Sequence, residues 1–413
     1  FNESINTVND DIIKYNNIYI DLNFLLHYSM YLTFSKESFF KKLFILLDSI
    51  IKKCFALNVI MLSIDGTSPY SKIILQRKRR KSNIKKLNMK NINVLHLTPG
   101  TKFMDEIKDK VNDYIKNIKK KFFKFRDIKF IFSSSDETGE GEIKIIKKII
   151  YFNKENQEHK HLIIGNDADL IVMAMACKKV KNIDILNKKN DGYNIIKINS
   201  IALKMQKYIN IKSKFINRIR TDFTIISLMM GNDYLPKLQY IKNDILLESY
   251  FKTKKLNKGF IIKKGIFNIV FLKKFLINII LKLNKRYQGV NLNNFNNKNI
   301  KKYLEGLLWC NKMYSTGICP MYDYIYNDKA PTPSELMFYL EFNEIKEINI
   351  PLSNIKPISN KIYPLLVLPK KASSLIPNEF KSLINTKFKF LYNKDHNFTI
   401  NDIKKIIINC NVS

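Results

Sequence analysis

Five apolar runs in this chain, residues 18–21, 59–65, 130–136, 162–167 and 225–233, each end on an acidic residue: Asp21, Asp65, Asp136, Asp167 and Asp233. Carboxylates gathered in one pocket repel one another strongly unless a cation stands between them. The pattern therefore predicts a metal-binding acidic pocket, and hard oxygen ligands of this kind suit Mg²⁺ or Mn²⁺.

Two further acids, Glu140 and Glu142, lie in Gly139-Glu140-Gly141-Glu142 ahead of the helical pattern Ile143, Ile146, Ile149. Taken alone they read equally as charges placed at a helix N-terminus. They do not stand alone, because Asp167 and Asp169 occupy a second strand-to-helix turn (IIGNDADLIVMAM) and Asp233 sits in MMGNDYLP after another apolar segment. Seven carboxylates, Asp21, Asp65, Glu140, Glu142, Asp167, Asp169 and Asp233, can hold two divalent ions about 3.5 to 4 Å apart, the arrangement for in-line attack of water on a phosphodiester. One ion generates the hydroxide and the other stabilises the leaving oxygen. Competing chemistries find little support: His96, His159, His161 and His396 are scattered and read as surface residues, so no Ser-His-Asp triad forms, and no Walker loop is present.

After Asp65 and Gly66 the chain reads TSPYSKIILQRKRRK, in which Lys72, Gln76, Arg79 and Arg80 fall at i, i+4, i+7 and i+8. Those four share one face of a helix. An amide with two forked guanidiniums suits a terminal phosphate. A solvated basic face or a nuclear-import run explains the local sequence as well, and it is the closeness to Asp65 that favours the phosphate pocket.

The elements that must position these groups follow from the same runs. The first four lack polar alternation, as parallel strands buried on both faces do, and ligands of such sheets sit at the carboxyl ends of the strands. Strand-like runs alternate with helical patterns through about residue 250, predicting an α/β fold with a Rossmann-like, mainly parallel sheet. Asn190, Asp191 and Gly192 predict a hairpin turn between residues 183–186 and 193–198. Beyond residue 251 the periodicity turns helical, giving a division into a core of residues 1–250 and an appended, mostly helical domain of residues 251–413. The asparagine-rich stretch 291–299 reads as a loop, and there is no internal repeat.

The 413 residues carry 71 Lys and Arg against 36 Asp and Glu, a formal charge of +35, so the surface field favours a polyanion and nucleic acid is the expected partner. Coding bias toward Lys, Asn and Ile accounts for part of that excess. Five cysteines without a CxxC pair argue against a zinc ribbon or disulfide framework and for a reducing compartment, the cytoplasm, with the nucleus as the alternative. No apolar stretch reaches membrane-spanning length, which predicts a soluble protein. The chain opens at Phe1 with neither a methionine nor a signal-peptide pattern, and so reads as a fragment.

Together these motifs resemble a known family. IYIDLNFLLH, IDGTSPYSKIILQRKRR, LTPGTKFM, SDETGEGEIKI, GNDADLIVM and DFTIISLMMGNDYLP are similar, in order, to the first region of the XRN-type 5′→3′ exoribonucleases, and YLEGLLW, MYSTGICP and LLVLPKKASSLIP to the second. The resemblance covers most of the chain apart from about residues 240–300. It implies a PIN/FEN-like nuclease core, two Mg²⁺ or Mn²⁺ ions held by the seven carboxylates, and removal of nucleotides from single-stranded RNA with a 5′ monophosphate; a monomer is expected. By motif position it assigns Lys72, Gln76, Arg79 and Arg80 to the 5′ phosphate and His27, with Asn23 in the same motif, to the first nucleotide.

Some positions depart from the family pattern. The N-terminal MGVP-type segment is absent from the sequence, the family's conserved tract continues past the position of Ser413, so the C-terminal domain is expected to be abbreviated or cut, and Thr138, Ile143 and Lys237 replace a proline and two histidines. Where the family carries base-stacking tryptophans the chain reads Cys319-Pro320-Met321-Tyr322-Asp323-Tyr324, so Tyr322 or Tyr324 is the expected substitute. Two other readings compete: a FEN/PIN-type structure-specific DNA nuclease, which should lack YLEGLLW and the Lys72 to Arg80 face, and an inactive RNA-binding scaffold, which should have lost carboxylates.

Overall fold

Runs of β-branched and aromatic residues build one seven-stranded sheet: β1 (Ile5–Val8), β2 (Ile13–Asp21), β3 (Cys54–Ser63), β4 (Lys129–Ser133), β5 (His161–Ile164), β6 (Ile183–Lys189) and β7 (Gly192–Lys197), in the order β1-β7-β6-β5-β2-β3-β4. The structure, a computed structural model, describes residues 5–8, 13–83, 92–189, 192–290, 295–343, 348–393 and 396–411. β2 lies parallel to both β3 and β5, β3 to β4, and β5 to β6, so the mainly parallel α/β class is observed. Consecutive residues Ile18, Tyr19 and Ile20 of β2 and Ile60, Met61 and Leu62 of β3 are all buried, which requires cover on both faces and explains why the runs show no alternation. The register sets the carboxyl ends level: Asp21 is opposite Ser63, Ser63 opposite Ser133, and Ile20 opposite Ile164. Helices Lys36–Lys53 and Lys102–Lys121 supply the core around the sheet through Leu43, Leu47, Ile50, Ile107 and Val111.

Of the predicted hairpin, β6 and β7 are adjacent in the sheet, while Asn190 and Asp191 lie outside the described residues. Part of the asparagine-rich stretch, residues 291–294, lies outside them too. His161 corrects a sequence expectation: it opens β5 fully buried, with the Tyr19 hydroxyl 3.0 Å from Nδ1, and burial pushes its pKa down to about 4. Among the described residues no helix is long and apolar enough to cross a membrane.

The compact units do not follow a boundary at residue 250; they interleave. The sheet unit comprises residues 6–166, 182–196 and 355–413, and the helical unit residues 1–5, 167–181 and 197–354. In the helical unit, helices Asp169–Ala176, Ile216–Met229 and Asn297–Thr316 pack on one another. Arg220, 1% exposed, donates to the carbonyls of Ala174, Met175, Cys177 and Val180, a cation satisfying the orphan acceptors at a helix C-terminus. The run ending at Asp233 is thus a helix followed by a turn. In the sheet unit the C-terminal segment packs against helix Tyr70–Asn83 through Arg77, which donates to the carbonyl oxygens of Leu366 (2.6 Å) and Leu391 (2.5 Å) and lies over the Phe398 ring at 4.6 Å. Helical periodicity after residue 251 reports local structure, and says nothing about which unit a helix joins.

Candidate metal and phosphate site

At the carboxyl end of β2, Asp21 becomes the N-cap of helix Leu22–Leu32, its Oδ1 accepting the Asn23 N–H at 3.0 Å. The same oxygen accepts from Asn23 Nδ2 at 2.7 Å, and that nitrogen also donates to Asp65 Oδ1 at 2.8 Å. One amide therefore bridges two carboxylates from neighbouring strand ends. Asn23 Oδ1 completes the clasp by accepting the Asp65 N–H at 3.1 Å. Asp65 Oδ1 accepts a further bond from the Gly141 N–H at 2.7 Å, at the start of helix Gly141–Glu155, where the helix dipole favours an anion.

A side chain at Gly141 would press on the Asn23 clasp. A Cβ there would lie 2.9 Å from Asn23 Nδ2, 3.2 Å from Asp21 Oδ1 and 3.4 Å from Asp65 Oδ1. Gly66 is fixed similarly, since a Cβ would overlap the Glu137 carbonyl oxygen, and its N–H donates to the Gly139 carbonyl at 2.9 Å. Gly139, at φ +98°, returns a bond to the Thr67 carbonyl at 2.8 Å. The glycines thus tie the loop after β3 to the loop after β4. Beneath them Lys144, buried, donates to the Ser134 carbonyl at 2.8 Å, and desolvation lowers its pKa to about 8 against the raising fields of Glu137, Asp65, Asp136 and Asp21.

The donor set fits a hard cation: the Asp21 and Asp65 carboxylates, brought together in one cradle at the level ends of β2 and β3 by the Asn23 amide, are oxygen donors of the kind such an ion takes. Among the described residues no three Asp, Glu, His or Cys side chains are grouped closely enough to enclose an ion, so what is formed is the cradle and not a full coordination shell. Glu140, nearly buried, pairs with Lys72, whose Nζ donates to Oε2 at 2.6 Å. A cation predicted for phosphate thus sits on an anion predicted for metal. Glu142, two residues on, is buried.

Beside Asp65 the same unit encloses a cavity of about 70 Å³ lined by Asn23, His27, Asp65, Gln76 and Arg80. Arg80 donates from Nη1 to Thr98 Oγ1 at 2.6 Å, and burial lowers its pKa while Tyr363 and Asp65 oppose the shift. Gln76 Oε1 accepts from the Tyr363 hydroxyl at 3.0 Å. Desolvation depresses the His27 pKa, Asp65 countering it and Arg80 adding to it, which favours a neutral imidazole at pH 7. Of the four predicted phosphate residues, Gln76 and Arg80 line this cavity; Lys72 turns to Glu140, and Arg79 is exposed on the helix.

The other three predicted carboxylates belong to the helical unit. Asp167 Oδ1 accepts the Asp169 N–H at 2.9 Å at the start of helix Asp169–Ala176, and Asp169 Oδ2 lies 3.4 Å from the Tyr314 hydroxyl. Asp233 is half-buried in a turn organised by Asn232, whose Oδ1 accepts the N–H groups of Tyr234 and Leu235, both at 2.8 Å. Tyr324 corrects the stacking expectation. It is buried in this unit, stacked on Trp309 at 5.0 Å with its hydroxyl donating to the Lys302 carbonyl, so neither ring face is open to a base. Tyr322 is half-buried.

Residues 1–189 match the family described as the XRN 5'-3' exonuclease N-terminus. Over 307 residues the chain is 24% identical to 5'-3' exoribonuclease 1 of Saccharomyces cerevisiae, covering 62% of this chain and 20% of that protein. With 5'-3' exoribonuclease 1 of Schizosaccharomyces pombe the identity is 23%, over 66% of this chain and 24% of the relative, and with that of Homo sapiens it is 24%, over 65% and 19%. The chain thus spans about a fifth of the length of these relatives. Among solved structures, the catalytic core of Rad2 in complex with DNA substrate superposes over 82% of this chain and 92% of its own, at 14% identity and a TM-score of 0.42. The resemblance to the XRN-type exoribonucleases read from the motifs is borne out.

Proposed function

We propose that this chain, whose first 189 residues carry the XRN-type exonuclease N-terminus, is a metal-dependent 5′→3′ exoribonuclease acting on single-stranded RNA with a 5′ monophosphate. The observation that carries the reading is the adjacency, within one compact unit, of the Asp21 and Asp65 cradle and the cavity lined by Gln76, Arg80 and His27. Asp21, Asp65, Glu140 and Glu142, with Asp167, Asp169 and Asp233 completing the set by motif position, are the residues that would hold two Mg²⁺ or Mn²⁺ ions. When bound, such ions supply Lewis acidity at the scissile phosphate.

The chain's own residues do the rest. The Arg80 fork supplies donors to the phosphate. Because the acceptor end of Gln76 is engaged by Tyr363, its Nε2 hydrogens serve the same anion. A phosphate that keeps a free terminal oxygen fits a cavity of this size, whereas an internal phosphodiester brings a nucleoside on each side. Selection for the 5′ end follows. A neutral His27 offers the first base a π-face without competing for the phosphate.

The test is degradation of matched single-stranded RNA and DNA bearing 5′ monophosphate, triphosphate or hydroxyl, with Mg²⁺ and with EDTA. Mononucleotide release from 5′-monophosphate RNA in Mg²⁺ alone is expected. Undiminished release in EDTA, or equal release from 5′-hydroxyl RNA, overturns the reading, and preference for DNA turns it toward a structure-specific DNA nuclease.

A further inference from the structure

A cavity of about 920 Å³ in the helical unit lies within residues 239–335, overlapping the stretch that the family resemblance does not cover. Its most ordered feature is a column of planar groups. The Tyr240 and Tyr287 rings stack face to face, 4.0 Å apart and within 9° of parallel, and the Arg286 guanidinium lies 4.4 Å from the Tyr287 ring centre. Each layer covers one face of the next. Tyr240 ends the column and is 49% exposed, whereas a tyrosine pair serving only to pack the unit would bury both rings.

Tyr240 is also held in an unfavourable conformation, at φ +61°, where a bulky side chain is uncommon. Its neighbour fixes it there: the Gln239 N–H donates to the Pro331 carbonyl at 3.2 Å and the Gln239 side chain donates to the Ala330 carbonyl. The opposite wall is equally set. Ser334 Oγ donates to the Gln288 carbonyl at 2.7 Å, and Thr332 and Glu335 form a capping box at the start of helix Pro333–Phe342. Charge in the groove is balanced, Arg286 and Lys329 against Asp328 and Glu335, so it is not built to grip phosphates.

We infer that this groove is a second RNA site, in which an unpaired base of a single strand stacks on the open face of Tyr240 as the next layer of the Arg286, Tyr287, Tyr240 column. The inference rests on the exoribonuclease reading for its choice of RNA, and uses none of the residues of the metal and phosphate site. Stacking accepts any base and is worth about tenfold or more in affinity per base. Because no phosphate contact is involved, loss of the stack lowers affinity equally at low and high salt, unlike loss of a lysine or arginine on the backbone, which flattens the salt slope by about one.

The experiment measures binding of short single-stranded RNAs carrying 2-aminopurine at successive positions, in EDTA so that no hydrolysis intervenes, to the full chain and its variants. Wild type quenches the fluorophore at one or more positions. Tyr240→Ala and Tyr240→Asn, the latter suited to positive φ, remove that quenching and weaken binding about tenfold with an unchanged salt slope, while Tyr240→Phe restores both. Circular dichroism melting shows whether the alanine variant folds, and the asparagine variant decides if it does not. Quenching that persists in the Tyr240 variants, or a salt slope that falls with them, overturns the site, as does a wild type that binds without any quenching or does not bind. Mg²⁺-dependent hydrolysis of the same RNAs is scored separately. A chain that fails to cleave yet shows Tyr240-dependent quenching refutes the exoribonuclease reading and leaves this site standing.

Discussion

Replacing Asn23 with alanine tests whether the bridging amide offsets repulsion between the two carboxylates proposed to bind metal. Asp21 Oδ1 and Asp65 Oδ1 lie 2.7 and 2.8 Å from Asn23 Nδ2, so they can be no more than about 5.5 Å apart. At that separation and an effective dielectric near 20, their repulsion is about 3 kcal/mol. The amide donates to both oxygens, and hydrogen bonds to charged groups contribute roughly 1.5 to 3 kcal/mol each. Part of that is regained when water reaches the cleared space, so Asn23→Ala is expected to lose about 3 to 5 kcal/mol of stability in EDTA. A divalent ion does the amide's work more strongly. Saturating Mg²⁺ should therefore stabilise the variant more than the wild type, narrowing the deficit by about 1 kcal/mol or more, since a ligand that binds only the folded state stabilises in proportion to its affinity. Urea unfolding followed by circular dichroism, in EDTA and in Mg²⁺, measures both numbers. A deficit of the same size in the two conditions means that Asn23 is an ordinary helix-start residue and that the cradle is not the ion's seat.

Two further outcomes follow from other parts of the molecule. Arg80→Ala, which empties the cavity wall, should reduce the preference for 5′-monophosphate over 5′-hydroxyl RNA by about tenfold to a hundredfold, and Arg79→Ala, at an exposed residue that does not line the cavity, should reduce it less; equal effects refute the assignment of the cavity. Asp222 is buried, accepting from Tyr250 and the N–H groups of Ile261 and Ile262, and desolvation raises its pKa from 3.8 to about 7. A carboxyl that binds its proton more tightly when folded contributes stability below pH 4 that is lost as pH rises to about 7. This amounts to on the order of 4 kcal/mol, so the wild type should weaken over that window and Asp222→Asn should flatten the trend; parallel pH profiles from urea titrations would refute it.

What the sequence made legible, and what it hid, divides along physical lines. β2, β3 and β5 could be read because burial on both faces leaves an unbroken apolar run, β4 because its run is as apolar although this edge strand is only partly buried, and their acidic ends because a sheet of that kind places its ligands there. Lys72, Gln76, Arg79 and Arg80 do follow one helical face, yet only Gln76 and Arg80 line the cavity. Spacing says which residues share a side, and not what covers it. Tyr324 failed as a stacking candidate for the same reason, since an aromatic in an irregular segment is as suited to packing on Trp309 as on a base. His161 was read as a surface residue because a lone histidine carries no periodicity, although its place at the start of an apolar strand was a usable sign. Asn23 was assigned by resemblance alone; its clasp of Asp21 and Asp65 depends on two strand ends being level, which no single motif states.

The least legible contribution to the site is that of the C-terminal segment, whose helices suggested membership of a separate domain. In the sheet unit, the Tyr363 hydroxyl lies 2.9 Å from Ser68 Oγ and donates to Gln76 Oε1, while Arg77 on the same helix reaches the carbonyls of Leu366 and Leu391. Asn360 Nδ2 donates to the Ser135 carbonyl in the loop after β4, at 2.5 Å, and its own carbonyl oxygen occupies the space beside Gly100 where a Cβ would stand. The helix that presents Gln76 and Arg80 is thus clamped near its start and its middle by residues nearly 300 positions later in the chain. Burying the Arg77 guanidinium is costly unless its donors are met, so the carbonyls of 366 and 391 are not interchangeable with water. The tract LLVLPKKASSLIP carries family resemblance although it contains none of the seven acids, and the clamp supplies a physical reason: it holds the helix that presents Gln76 and Arg80 to the cavity.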